Sequence, residues 1–326
     1  MAQWPNLVER QLVNALVKKC AGQSHFSKEG PEQLWVWQGQ RRVQIKESLG
    51  LELPTVYGPP AARVVVGNPK KPSAGQVWHV ETEPDVLAEL ILHAGPETTG
   101  HPTAYVLQVS EEATREPRQA FCQSIAEMGL VGLSVPLRGV EFPAGPAKLA
   151  EAYLGLGRCY AGAVATDLLR VIDHVEHQFS VESEPILLVL SGTGILPGLA
   201  FAAIDQRIGS VVVDFSSAPV ALLGPTGVPP VFIEQYLHLG SNPLLVLAQC
   251  CVPRPMILIG APPEADRLWL ENPKAGILKF TDQITLLKDT YLSAGNPDRL
   301  AIHGTDKPKP SIADLVKQAL GYYTTA

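Results

Sequence analysis

Four apolar runs in this chain end in residues that could do chemistry together. The run Ile186–Leu190 leads into Ser191-Gly192-Thr193-Gly194, which places two hydroxyls in a glycine-rich turn. A hydroxyl becomes a nucleophile when a base takes its proton and a third group orients that base. The run Met256–Ile259 leads into a loop carrying Glu264 and Asp266, and the run "VVVDF" places Asp214 at its end. The run "RLAIHG" ends in His303. The order is nucleophile, acid, histidine, which suits acyl transfer. Each residue also has a structural reading. Ser191 could bond local backbone, Asp214 could cap the amides around Ser216 and Ser217, Glu264 and Asp266 could be solvated loop carboxylates, and His303 could be a packed or exposed histidine.

The elements that must position these groups follow from periodicity. Leu12, Val13, Leu16, Val17 and Cys20 recur at helical spacing over residues 6–20, after Pro5. A second helix is predicted from Pro31 to Leu49, with Gly50 as its stop. Short β runs follow in "ARVVVG", "GQVWHVETE" and "VLAELILHA", with an exposed turn between Gly67 and Gly75, and they read as an antiparallel meander. From residue 103 strand and helix alternate. Strands are predicted at "AYVLQVS", "LVGLSVPL", "ILLVLS", "IGSVVVDF", "PMILIGA" and "RLAIHG". Helices are predicted over 116–128 and 197–204, from about Ser311, and as one long helix after residue 137. Val164, Leu168, Ile172 and Val175 form a single apolar stripe on that long helix. Such alternation implies an α/β fold with a mostly parallel sheet, whose ligands bind beyond the carboxyl ends of the strands. The expected organisation is a helical lead-in over 1–60 packed on a core over 61–326.

Several of these segments resemble prokaryotic acetyl xylan esterase-like α/β hydrolases, a group similar to dienelactone hydrolases. The run "FCQSIAEMGLVGLSVPLRGV" is similar to their fourth strand and its Arg-Gly turn, here Arg138-Gly139. "YLGLGRCYAGAVATDLLRVIDHVE" resembles the next helix, "GLAFAAIDQRIGSVVVDF" the helix and strand after the nucleophile turn, and "CCVPRPMILIG" the entry to the acid loop. "RRVQIKESLGL" and "VETEPDVLAELIL" extend the likeness into the lead-in, so that it spans about residues 6–322. The resemblance implies an α/β-hydrolase fold and a G-x-S-x-G elbow. Registered through Ala202, Ala203 and Asp205, the nucleophile position falls on Gly192, and Leu190 replaces the first glycine. A shift of one residue would make Ser191 or Thr193 the nucleophile instead. The acid position falls near Pro263, with Glu264, Asp266 or Asp214 as stand-ins, and the histidine position falls near Asp306 or Lys307, about four residues beyond His303. The oxyanion amides would come from Thr193 and from the Ser110–Glu111 turn, which need no side chains.

Composition removes other classes. The 26 Lys and Arg against 32 Asp and Glu leave a net charge of −6 with no basic run, which argues against nucleic acid. No apolar run approaches a membrane span, and the first residues lack the basic and apolar pattern of a signal peptide, so a cytoplasmic protein is expected. The five cysteines, Cys20, Cys122, Cys159, Cys250 and Cys251, have no disulfide or zinc spacing and read as buried free thiols. The G-x-G-x-x-x-G of Gly192, Gly194 and Gly198 matches neither a dinucleotide loop nor a Walker loop, and no metal-ligand cluster stands out. No cofactor and no metal are expected. Three functions remain: a hydrolase fold with an eroded triad that binds a ligand or another module; an active carboxylic-ester hydrolase using Ser191 with His303 and Asp214 or Asp266; and the scaffolding half of a tandem protein. The expected partners are a small ester or carboxylate, a second hydrolase module, or further copies of the chain.

Overall fold

A computed structural model describes residues 25–26, 30–51, 59–67, 75–95, 104–141, 145–156, 158–179, 185–216, 242–260, 279–304 and 308–324. The expected helix over 6–20, the carboxylates Glu264 and Asp266, Ser217, and nearly all of the Gly67–Gly75 turn lie outside them. Nine strands form one sheet. They are β1 (Ala62–Val66), β2 (Gln76–Glu83), β3 (Val86–Ala94), β4 (Tyr105–Ser110), β5 (Val131–Pro136), β6 (Ile186–Ser191), β7 (Ile208–Asp214), β8 (Met256–Ile259) and β9 (Leu300–His303). The spatial order is β1-β2-β3-β5-β4-β6-β7-β8-β9. The first three strands form the expected antiparallel meander, and β3 joins the rest antiparallel to β5. From β5 to β9 every pairing is parallel.

The parallel strands are apolar on both faces because helices cover both. Along β6, Leu188 and Leu190 enter the larger core cluster while Leu187 and Val189 enter a second one on the opposite face. That is why "ILLVL" reads as a continuous run rather than an alternation. Eight helices are described: α1 (Pro31–Leu49), α2 (Arg115–Ala126), α3 (Gly145–Gly155), α4 (Tyr160–Phe179), α5 (Ile195–Ile204), α6 (Pro243–Cys251), α7 (Phe280–Ser293) and α8 (Ile312–Thr324). The single long helix expected after residue 137 is two, α3 and α4, with the chain turning at Leu156, whose N–H bonds back to Tyr153. Glycines at 155 and 157 in "GLGRCY" are poor helix formers, and the helical apolar pattern did not register that break. The stripe of Val164, Leu168, Ile172 and Val175 is fully buried on α4, worth about 1.5–3 kcal/mol per side chain.

The lead-in helix α1 ends as expected, with Gly50 left-handed at φ 61° and its N–H returned to Glu47. It is docked on the core by polar contacts. Gln38 donates to the carbonyls of Gln249 and Val252 at 2.8 and 2.7 Å, and Arg42 donates to those of Ala203 and Cys250. Gln249 in turn pairs with the backbone of Phe26.

Arg138, of the expected Arg-Gly turn, is a strut at the carboxyl edge of β5. Its guanidinium bonds Asp167 on α4 and Glu83 beside the β2–β3 turn, and also Tyr153 on α3. It ties the antiparallel meander to the helical layer on the edge where the site lies.

Candidate functional site

The site is set by where β4, β6, β7, β8 and β9 end. Ser191 closes β6 in extended conformation, with φ −144° and ψ 159°. The chain then turns sharply through Gly192, at φ +56°, into a 3₁₀ turn over Gly192–Gly194 that runs on into α5. Gly192, not Ser191, therefore stands at the apex of the strand-to-helix turn. That left-handed position costs most L-residues roughly 1–2 kcal/mol and costs glycine nothing.

The space above the apex is filled. A Cβ on Gly192 would lie 1.9 Å from Oε2 of Glu111 and 2.3 Å from its carboxyl carbon. Glu111 follows β4, and its Oε1 accepts from the Thr193 N–H at 2.5 Å and from the Thr193 hydroxyl. Thr193 thus presents the amide expected for an oxyanion, but a carboxylate of the chain's own already holds it. Ser110 is buried, and its Oγ accepts from the Glu112 N–H at 3.0 Å.

The other expected groups lie in one row across the sheet. Ser191 is registered with Asp214, Asp214 with Ile259, and Ile259 with His303. Neighbouring strands are ~4.8 Å apart, so Ser191 and His303 are three spacings, roughly 14 Å, from each other. That is far beyond hydrogen-bond reach. His303 bonds Gln318 on α8 instead, with Nε2 3.1 Å from Oε1, and its carbonyl accepts from Gly260. The structure does not assemble Ser191 and His303 into a relay, because two strands separate them.

Asp214 is buried at the end of β7 and accepts from the Ser216 N–H at 2.9 Å and from the Ser216 hydroxyl, as its capping reading anticipated. Its other oxygen forms an ion pair with Lys309, from the loop after β9. Lys309 also lies 3.4 Å from the Ser216 hydroxyl. In the arrangement the resemblance implied, a histidine from this loop would face the acid; here a lysine does so.

The sequence reading missed two of these participants. Glu111 entered it only as a backbone turn, and Lys309 did not enter it at all. The signal that could have found them is charge next to a strand end, since Glu111 directly follows β4 and Lys309 lies in the loop leaving β9.

The thiols expected to be inert are so placed. Cys122, Cys250 and Cys251 are buried and Cys159 is partly buried, and none of the four is in a disulfide. Burial pushes the Cys250 thiol up to about 12, aided by its neighbour Cys251 and opposed by Arg42, Arg41 and Arg254. Among the described residues no cluster of His, Cys, Asp and Glu could hold a metal, and no helix is long and apolar enough to cross a membrane.

A mostly parallel sheet between helical layers, with a left-handed turn between β6 and α5 and an acid at the end of β7, is the α/β-hydrolase fold. Solved structures that it resembles include esterases. A Bacteroides fragilis protein assigned as an acetyl xylan esterase superposes with a TM-score of 0.71 at 13% identity, over 98% of this chain and 90% of that one. A glucuronoyl esterase of carbohydrate esterase family 15 from Teredinibacter turnerae gives 0.60 at 14% identity, over 94% and 88%. A glucuronoyl esterase from Solibacter usitatus gives 0.57 at 13%, over 88% and 91%. No family model matches the chain, nor does any curated protein. At these identities the likeness establishes the fold.

Proposed function

We propose that this chain is an α/β-hydrolase-fold binding protein that does not turn over esters. One observation carries the reading: the apex of the elbow is Gly192, and the Glu111 carboxylate stands where a nucleophile's Cβ would be. Glycine cannot be acylated. The remaining geometry agrees with it. The Thr193 amide is engaged by Glu111, Asp214 faces Lys309 rather than a histidine, and His303 is tied to Gln318.

The test is an assay with a short-chain aryl acetate and with acetylated xylan. The wild-type protein should show no turnover above the buffer rate, and Ser191→Ala should change nothing. Turnover that disappears in Ser191→Ala would overturn the reading.

A further inference from the structure

Glu111 is an exposed glutamate that has nonetheless been brought to one place. Fixing so long a side chain costs rotamer entropy, so an exposed carboxylate stays in one pose only where good donors await it. The donors here are the N–H and the hydroxyl of Thr193, both directed at Oε1. Gly192 contributes by absence, because any side chain on it would collide with Oε2. The turn then enters the ten-residue helix α5, whose first amides favour negative charge. The seat therefore fits a carboxylate, and the structure displays one in it.

We propose that Glu111 is a built-in occupant of this seat, an autoinhibitory contact, and that a ligand carboxylate binds at Thr193 only by displacing it. The proposal rests on the reading that the elbow turns over no ester. A free carboxylate reproduces both hydrogen bonds that Glu111 makes, each of them charge-assisted. A neutral ester carbonyl offers a weaker acceptor and does not match the seat as well. Because the Glu111 tip is exposed, it has a path out into water. While the plug is in, the competent fraction is small, and the apparent affinity for a ligand falls by that fraction. Two hydrogen bonds to an exposed carboxylate, discounted for solvent screening, correspond to about a fivefold change, which sets the scale of the effect.

The experiment is an acetate titration at constant ionic strength, followed by the Thr193 amide resonance and by the melting temperature. It uses the wild-type protein, Glu111→Ala and Glu111→Gln. Glu111→Ala should bind acetate about fivefold more tightly than wild type, with the shift centred on Thr193. Glu111→Gln keeps the length and the acceptor but not the charge, and it should fall between the two. Should Glu111→Ala fail to fold, the comparison of Glu111→Gln with wild type decides. Equal acetate affinities in all folded forms, or a titration that leaves the Thr193 amide unmoved, would overturn the proposal. Ester turnover by the wild type would sink the reading of the elbow and leave the acetate result standing. Absence of the acetate gain would sink the plug and leave the missing turnover standing.

Discussion

Substitution of Gly192 tests the plug through stability alone. In Gly192→Ala the new Cβ needs the space now held by the Glu111 carboxylate, with 1.9 Å to Oε2 and 2.3 Å to the carboxyl carbon. The obstacle is the tip of a flexible, exposed side chain, so Glu111 will leave and the backbone will stay. Two costs follow. The left-handed φ of +56° costs an alanine about 1 kcal/mol. Expelling Glu111 from the Thr193 amide and hydroxyl costs about 1 kcal/mol more, after discounting for solvent exposure. Gly192→Ala should therefore destabilise by about 2 kcal/mol in the wild-type background. In Glu111→Ala, where no carboxylate remains to expel, it should cost only about 1 kcal/mol. Urea denaturation of the four proteins of this cycle gives a coupling energy near ~1 kcal/mol, above the ~0.3–0.5 kcal/mol scatter of independent sites. Additive losses would mean that Glu111 does not occupy the apex, and the arguments for both the sealed elbow and the displaceable plug would fail together.

Two further outcomes follow from other parts of the fold. A Cβ on Gly162 would lie 1.9 Å from the backbone carbonyl of Leu49, whereas one on Gly39, within α1, would meet nothing within 4 Å. Gly162→Ala should thus cost about 2–3 kcal/mol by prising α1 from α4, while Gly39→Ala should gain up to about 1 kcal/mol, both read by urea denaturation. Acid should also weaken the protein through two half-buried carboxylates. Burial alone would raise Glu83 and Glu89, but hydrogen bonds from Arg158 and Arg138, and from Arg115 and Arg118, outweigh it and hold both below the usual range. In acid the unfolded chain then binds more protons than the folded one. Their contribution is full above about pH 5 and is lost as pH falls through the ordinary value near ~4.3 toward the folded ones. Denaturation midpoints measured from pH 6 to pH 3 should fall, and less steeply in Glu89→Gln; a slope unchanged by that substitution would refute the assignment.

The sequence revealed the sheet more completely than the site, for a physical reason. Strand and helix positions are local. The stop at Gly50, the run Ile186–Ser191 and the alternation along "GQVWHVETE" are each written within a dozen residues. The resemblance placed the nucleophile position on Gly192, and the backbone there has the left-handed φ that such a turn demands. What periodicity cannot carry is which loops meet. Glu111 reaches Thr193 across 82 residues of chain, and Lys309 reaches Asp214 across 95. His303 was a reasonable candidate by its place at a strand end. The sheet order, with β7 and β8 between β6 and β9, separates it from Ser191, and that order is not encoded in any one segment.

On the proposed reading, the pattern of charge at this edge runs against catalysis in a way that no single substitution does. A hydrolytic site keeps donors aimed at a place that stays empty until charge develops there, and keeps its base free to take a proton. Here three of the groups have partners within the rim. The Thr193 amide is paired with Glu111, Asp214 with Lys309 and Ser216, and His303 with Gln318. A serine placed at position 192 would have to evict Glu111 first, and His303 would still lie beyond two intervening strands. Removing Glu111 frees the amide yet leaves glycine at the apex. On the proposed reading, the donors that would have stabilised a transition state are engaged in the ground state. A site in that condition is suited to binding by exchange, a ligand carboxylate for the carboxylate of Glu111, rather than to making and breaking bonds.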